Sequence, residues 1–300
     1  MATFQPSTVA ITTSTYYPRW YQGPLRSINH TDKIRGDLAL EFMAKARKEG
    51  YTVIVVDGMS TKTFLKTVRE ISGVILKRRK SYKRSPARRL GYQVASKIPD
   101  INVIVYSEAE KINMIDLIPE IVHPLLQNEA DIVIPKREEK AFKESYPNFQ
   151  YLSEEEGNKL YNEYMHLHHG QAVKEYYDMF FGPRAFRNDP KILRLFYQRY
   201  MFRLGDHVFD EQYFDPEQLS NAIFFPIVLA LKRGFRVKSV EVSFRYPKLQ
   251  KENEEKGNRV YFEEKRQMQR LALLVELMHF LSYLQHNERS KIKLTSSLKY

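Results

Sequence analysis

Residues Tyr51–Ser60 read YTVIVVDGMS, and this stretch decides the class of the chain. Tyr51–Val56 lacks the polar alternation of a half-exposed strand, so it reads as a strand covered on both faces. Asp57-Gly58 then ends it with turn chemistry. The pattern repeats on either side. Upstream, Val9–Ser14 (VAITTS) reads as a strand, and Lys33–Lys48 as a helix with Leu38, Phe42 and Ala46 on one face and Gly50 ending it. Downstream come a helix over Thr61–Ile71, a short strand over Gly73–Leu76 and a helix opened by Pro86 and running to Ala95. A strand over Ile101–Tyr106 (INVIVY), a helix over Ile115–Asn128 and a strand over Asp131–Pro135 follow. Strands separated by helices in this way predict an α/β, Rossmann-like fold, a mostly parallel sheet flanked by helices. Right-handed crossovers leave few topologies for it.

The second half is less regular. Glu138–Gly170 is polar and reads as helical around Glu154–His168, and the aromatic run from Tyr176 to Phe181 reads as core. Leu219–Arg233 is an apolar helix and Arg236–Phe244 alternates like a strand. The last helix, Val260–Gln285, places Leu271, Val275, Met278 and Leu281 on one stripe as a C-terminal helical elaboration, and the tail from Asn287 is basic and polar. The expected organisation is residues 1–137, then 138–258 within the same domain, then the helix and tail of 259–300. His166, His168 and His169 do not share one helical face, so a surface cluster rather than a zinc site is expected.

Composition narrows the function classes. The chain has 300 residues, 43% hydrophobic and 28% charged, with 20 Tyr and 18 Phe, which is the balance of a folded globular protein and not of a disordered one. It has no cysteine, which excludes disulfides, a thiol nucleophile and thiolate metal sites. Met1–Thr8 lacks a signal-peptide pattern, and the apolar stretch Leu271–Leu284 is too short for a bilayer and holds Glu276 and His279. A soluble, cytoplasmic protein is expected. The net charge is +12, and Lys77–Arg89 (KRRKSYKRSPARR) has no acidic residue; without it the balance falls to +4. Such a field draws polyanions: a diphosphate, a nucleic acid or an acidic lipid surface.

Ligands of open parallel sheets sit beyond the carboxyl ends of the strands, where this chain places its suggestive polar groups. Thr12, Thr13 and Ser14 close the first strand and Asp57 the second. Asp57 suits a nucleobase or ribose, or else caps a turn. Arg88 and Arg89, near a helix start, suit phosphate oxygens through bidentate forks, whereas Lys77–Arg84 reads as a solvated basic face. Glu108 and Glu110 follow the fourth strand two apart, so an extended backbone turns both toward one cation such as Mg²⁺ or Mn²⁺. Lys111 beside them either pairs with a glutamate or neutralises a diphosphate itself. Nucleic-acid binding through the basic segment is the second reading, but no helix-turn-helix, zinc-finger or RNP pattern accompanies it.

The order of these features resembles the GT-A nucleotide-diphosphosugar transferases, in a branch with E-P-E-K where D-x-D is usual. The match runs with gaps from about Val9 to Gln269. It is carried by VVDGMS (Val55–Ser60), SPARRLGYQVA (Ser85–Ala95), VIVYSEAEK (Val103–Lys111), FFGPRAFR (Phe180–Arg187), VEVSFRYPKLQKENEE (Val240–Glu255) and KRQMQRL (Lys265–Leu271). Ala109 stands where that branch has proline. The resemblance implies a glycosyltransferase that moves a sugar from a nucleotide-diphosphosugar to a hydroxyl acceptor. Residues 1–137 would then be the nucleotide-sugar half and 138–258 the acceptor side. Asp57 would contact the nucleoside, Arg88 and Arg89 the diphosphate, and Glu108, Glu110 and Lys111 the metal and sugar phosphate. The turn at Arg245 would close over the nucleotide. For an inverting reaction one carboxylate must take the acceptor proton, for which Asp215 and then Glu217 are the candidates. A catalytically inactive nucleotide-sugar binder and transient membrane-surface contact belong to the same set of expectations. A nucleotidyltransferase is the other enzyme class, but its glycine-rich loop is missing from Tyr16–Gly23.

Overall fold

The computed structural model describes residues 4–169, 173–200, 217 and 219–286. Its sheet has seven strands: β1 (Val9–Thr15), β2 (Thr52–Asp57), β3 (Val74–Arg78), β4 (Val103–Tyr106), β5 (Ile132–Arg137), β6 (Arg184–Arg187) and β7 (Val237–Val242). They lie in the order β3-β2-β1-β4-β6-β5-β7. All neighbours are parallel except β6, which runs against both β4 and β5. This is the mostly parallel, helix-flanked α/β sheet expected. The strand β6 lies inside a stretch that gave no strand signal, because its burial comes from two strands distant in sequence. Residues 184–187 and 237–242 thus share one sheet with the strands of 1–137.

Strand residues alternate between two cores. Ala10, Ile54, Ile104, Ile132 and Phe186 pack with α3 (Arg84–Ala95), α7 (Pro190–Tyr197) and α8 (Phe225–Lys232). Val9, Val53, Val103, Val133 and Ala185 face the other way, against α1 (Thr31–Lys48), α2 (Lys62–Glu70) and α4 (Ile118–Leu126). On α1, the stripe Leu38, Phe42 and Ala46 is buried as read. The helix expected from Ile115 is split: a 3-10 turn covers Ile112–Leu117, and α4 begins where Pro119 fits a first helical turn. Short α5 (Glu139–Ser145) precedes α6 (Asn148–His169), and α9 (Lys248–Glu252) runs through a π turn toward α10 (Arg259–His286).

The core face of α10 differs from the expected stripe. Leu271 and Met278 are exposed, whereas Leu273, Leu277, Phe280, Leu281 and Leu284 are buried. Tertiary partners set this phase, since Phe280 stacks on Phe225 at 4.1 Å and α10 also packs on α6.

Buried charge joins these layers. Arg137, the last residue of β5, donates from Nε and Nη2 to the two carboxylate oxygens of Asp178 at 2.7 and 2.8 Å, and from Nη1 to Glu154 of α6 at 2.6 Å. Its guanidinium lies 3.6 Å from the Phe142 ring centroid. The Arg137 charge holds the Asp178 carboxyl below the usual range although burial acts to raise it. Asp178→Ala leaves this guanidinium short of its bidentate partner, and is expected to cost about 3–5 kcal/mol in urea unfolding. A loss below about 1 kcal/mol would show that the pair does not hold the layers.

Candidate functional site

A cleft of about 700 Å³ opens at the carboxyl ends of β1 and β4. From β1 the chain winds to β2 and β3 on one side, then crosses to β4 on the other, and such a switch point leaves a crevice for a ligand. Ser14 and Thr15 end β1 in its wall, Tyr106 ends β4 with Glu108 just beyond it, and Arg84 and Arg88 come from the first turns of α3. The late part of the chain completes the wall with Tyr246, Gln250, Lys265 and Arg266, and α1 adds Lys33 and Arg35.

Cations dominate this lining. Arg88 is buried, its guanidinium 4.9 Å from the Tyr106 ring centroid, with Nη1 donating to the Leu219 carbonyl at 3.3 Å. Burial acts to lower its pKa, but Tyr106, Tyr92 and Glu108 outweigh that and raise it. Arg84 is exposed overall, yet enclosure of its head group and then the Arg88 charge lower its pKa. Lys265 is pulled down to about 7, first by burial and then by Arg35, Arg266 and Arg84. Among the described residues none of Arg84, Arg88 and Lys265 has an ion-pair partner within 4.0 Å, whereas Arg35 and Arg266 share the buried Glu254 at 3.0 and 3.6 Å. An anion brought among them would relieve mutual repulsion.

Glu108, Glu110 and Lys111 line the cleft together with Arg88. The segment after β4 is a turn, not the extended run expected, and the two carboxylates take different partners. Glu108 lies 3.6 Å from Lys111 Nζ, and Glu110 4.0 Å from Arg35. Gly182, whose φ of 97° favours glycine, packs against Glu108, and a Cβ there would displace the Glu108 carboxylate. Glu108 Oε2 is buried without a hydrogen bond, but Lys111 already faces it. No group of three or more His, Asp or Glu converges among the described residues. Among the described residues, both carboxylates that could hold Mg²⁺ or Mn²⁺ together with substrate phosphates are thus already engaged by cations.

Other expected residues lie off the cleft. Thr12 and Thr13 are buried deeper in β1 with unpaired hydroxyls, and Ser14 and Thr15 take the lining position. Asp57 is fully buried and accepts from Thr15 Oγ1 at 2.9 Å and from the backbone N–H groups of Met59 and Ser60 at 3.0 Å each. Its carboxylate shapes the turn, which is the second of the two roles weighed for it. Arg89 is buried and paired at 2.5 Å with Glu217, whose own carbonyl accepts from the Ser85 N–H at 2.9 Å. Both residues anchor α3. Arg245 turns outward to Glu144 at 3.3 Å while its neighbour Tyr246 lines the cleft. Asp215 lies outside the described residues.

The sequence reading missed Lys33, Arg35 and Arg84 as cleft residues. Arg84 stood in the segment read as a solvated face, while Lys33 and Arg35 look like any charged residues on an amphipathic helix. Lys265 and Arg266 were flagged only within the KRQMQRL resemblance.

No family model matches the chain, and no curated protein does. Among solved structures it is similar to glucosyl-3-phosphoglycerate synthase from Mycobacterium tuberculosis, at 11% identity over 78% of this chain and 69% of that one, with a TM-score of 0.45. It is similar to residues 1–349 of S. aureus TarS at 14% identity, covering 95% of this chain and 75% of that one, with a TM-score of 0.40. A cytidylyltransferase from Leptospira borgpetersenii is similar at 10% identity, covering 97% and 98%, again with a TM-score of 0.40.

The lowered Lys265 pKa predicts that an anion bound in the cleft would be held in a pH-dependent way. An anion stabilises the ammonium form and raises that pKa, so binding is strongest below about pH 7 and falls above it, by at most about tenfold per pH unit. The same lysine makes stability rise with pH from about 7 upward, because the unfolded chain then holds a proton that the folded one has released. Sulfate keeps its charge across this window, so the rise in Tm it causes is expected to shrink between about pH 6 and about pH 9 in the native chain. In Lys265→Met the rise is expected to be smaller and flat; an unchanged slope would remove Lys265 from the anion site.

Proposed function

We propose that this chain is a transferase that moves a sugar from a nucleotide-diphosphosugar to a hydroxyl acceptor. The observation that carries the reading is the cleft at the strand-order switch, with Arg84, Arg88 and Lys265 free of carboxylate partners among the described residues. In the reaction the bond from the anomeric carbon to the diphosphate oxygen breaks, and its electron pair leaves with the diphosphate. A new bond forms from that carbon to the acceptor oxygen, whose proton goes to a carboxylate. Arg88 and Lys265, with Arg84 and Lys111, stabilise the leaving charge in an enclosed site where such interactions count most. Offset of the diphosphate by side chains needs no divalent ion, in keeping with a donor set that pairs Glu108 and Glu110 with cations.

Asp215 is assigned as the base. Glu217, engaged by Arg89, acts as a positioning residue, as does Arg89. Thr15 and Ser14 stand where Thr12 and Thr13 were expected to meet the donor, and Asp57 reaches the nucleoside only through the turn it holds.

Thermal unfolding against UDP-, GDP-, ADP- and CDP-sugars tests the reading. One nucleotide family is expected to raise Tm, by stabilisation of about 2.7 kcal/mol at a hundredfold excess over Kd, and to do so equally in EDTA and in Mn²⁺. Arg88→Ala is expected to abolish the shift, and Asp215→Asn to keep it while losing turnover. No shift with any donor at millimolar concentration would overturn the donor site. A shift that appears only with Mn²⁺ would overturn offset by side chains.

A further inference from the structure

The loops after β1, β2 and β3 meet at the rim of the cleft in a surface of mixed character. Tyr16, Met59 and Tyr82 are 48%, 53% and 56% exposed. The two tyrosine rings lie 5.8 Å apart. The Gly58 backbone sits so close to the 81–82 loop that a Cβ there would meet the Ser81 carbonyl oxygen at 2.8 Å. These contacts bring Met59 to the same patch.

Met59 holds φ 84°, a left-handed conformation that strains any residue but glycine. The Asp57 carboxylate fixes it there. Its side chain is largely exposed, so it returns to the fold less packing than a core methionine would to offset that strain. Exposed Lys62 follows Met59, and the pairing of Val56 with Lys77 and Asp57 with Arg78 sets two more cations beside the end of β2. Lys80 is also exposed. Among the described residues none of Lys62, Lys77, Arg78 and Lys80 has an ion-pair partner within 4.0 Å, and Val74–Arg89 contains no acidic residue.

We propose that this face seats the protein on an anionic lipid bilayer. Met59, Tyr16 and Tyr82 enter the headgroup region, where aromatic rings are favoured, and the ring of lysines and arginine pairs with lipid phosphates. A nucleic acid would be served by rings and cations alone; a strained, exposed thioether adds a contact that only an apolar phase rewards. Tyr16, Gly58, Ser81 and Tyr82 also line the cleft, so seating brings the cleft mouth to the bilayer. Given the transferase reading above, the acceptor hydroxyl would then be carried by a lipid.

Co-sedimentation of the full chain with phosphatidylcholine–phosphatidylglycerol vesicles tests this, against pure phosphatidylcholine vesicles and a single-stranded RNA oligonucleotide. Binding to the mixed vesicles alone is expected, weakened more than about tenfold in the Lys77→Glu/Lys80→Glu variant. Met59→Gly is expected to bind several-fold more weakly with no fall in Tm, which separates membrane contact from folding. Wild-type chain left in the supernatant of mixed vesicles, full binding by Met59→Gly, or capture of the RNA in their place would overturn the proposal. Vesicle binding requires no donor, so its failure leaves the donor-site reading standing, and failure of the donor panel leaves this one standing.

Discussion

Arg137 is the interaction on which the rest of the molecule depends. A guanidinium at the end of β5, almost fully out of water, is tolerated only if carboxylates meet it. Asp178 does so from the segment before β6 and Glu154 from α6. The other oxygen of Glu154 lies 3.6 Å from Arg266 on α10. Arg266 shares Glu254 with Arg35 of α1, and Arg35 reaches Glu110 after β4. Charges of alternating sign thus run from the sheet to the cleft and fasten both ends of the chain around it.

This network explains why the cleft is so basic. Carboxylates on the inner side are consumed by the chain of pairs, while Arg84, Arg88 and Lys265 face the opening without counterpart among the described residues. Burial, and after it repulsion from neighbouring cations, lowers the pKa values of Arg84 and Lys265. Such a cluster costs stability in the free protein and gains from an anion, the arrangement expected of a site tuned to bind and not merely to fold.

The sheet was legible in the sequence where burial is local. Tyr51–Val56, Ile101–Tyr106 and Asp131–Pro135 are apolar enough to declare buried strands, and α1 shows its stripe plainly. What the sequence hid depends on contacts far apart in the chain. The strand β6 is held by β4 and β5 and has no periodic signal of its own, and the phase of α10 is set by Phe225 and α6. The site shows the same division. Glu108, Lys111 and Arg88 follow from their places at strand ends. Lys33 and Arg35 are ordinary helix charges until the fold turns that end of α1 to the cleft, where Arg35 meets Glu254 and Phe262. Asp57 and Arg89 carry the right chemistry at the right strand ends but spend it inside the fold, which only the tertiary partners Thr15 and Glu217 reveal.

The central claim is that a diphosphate occupies the cation cluster assembled from α3 and α10. A crystal structure of the chain with a bound nucleoside diphosphate tests it most directly. The account predicts phosphate oxygens at about 3 Å from Arg88 and from Lys265 Nζ, within the cleft at the ends of β1 and β4. A diphosphate held only by the exposed Lys77, Arg78 and Lys80, with Arg88 and Lys265 uncontacted, would contradict it.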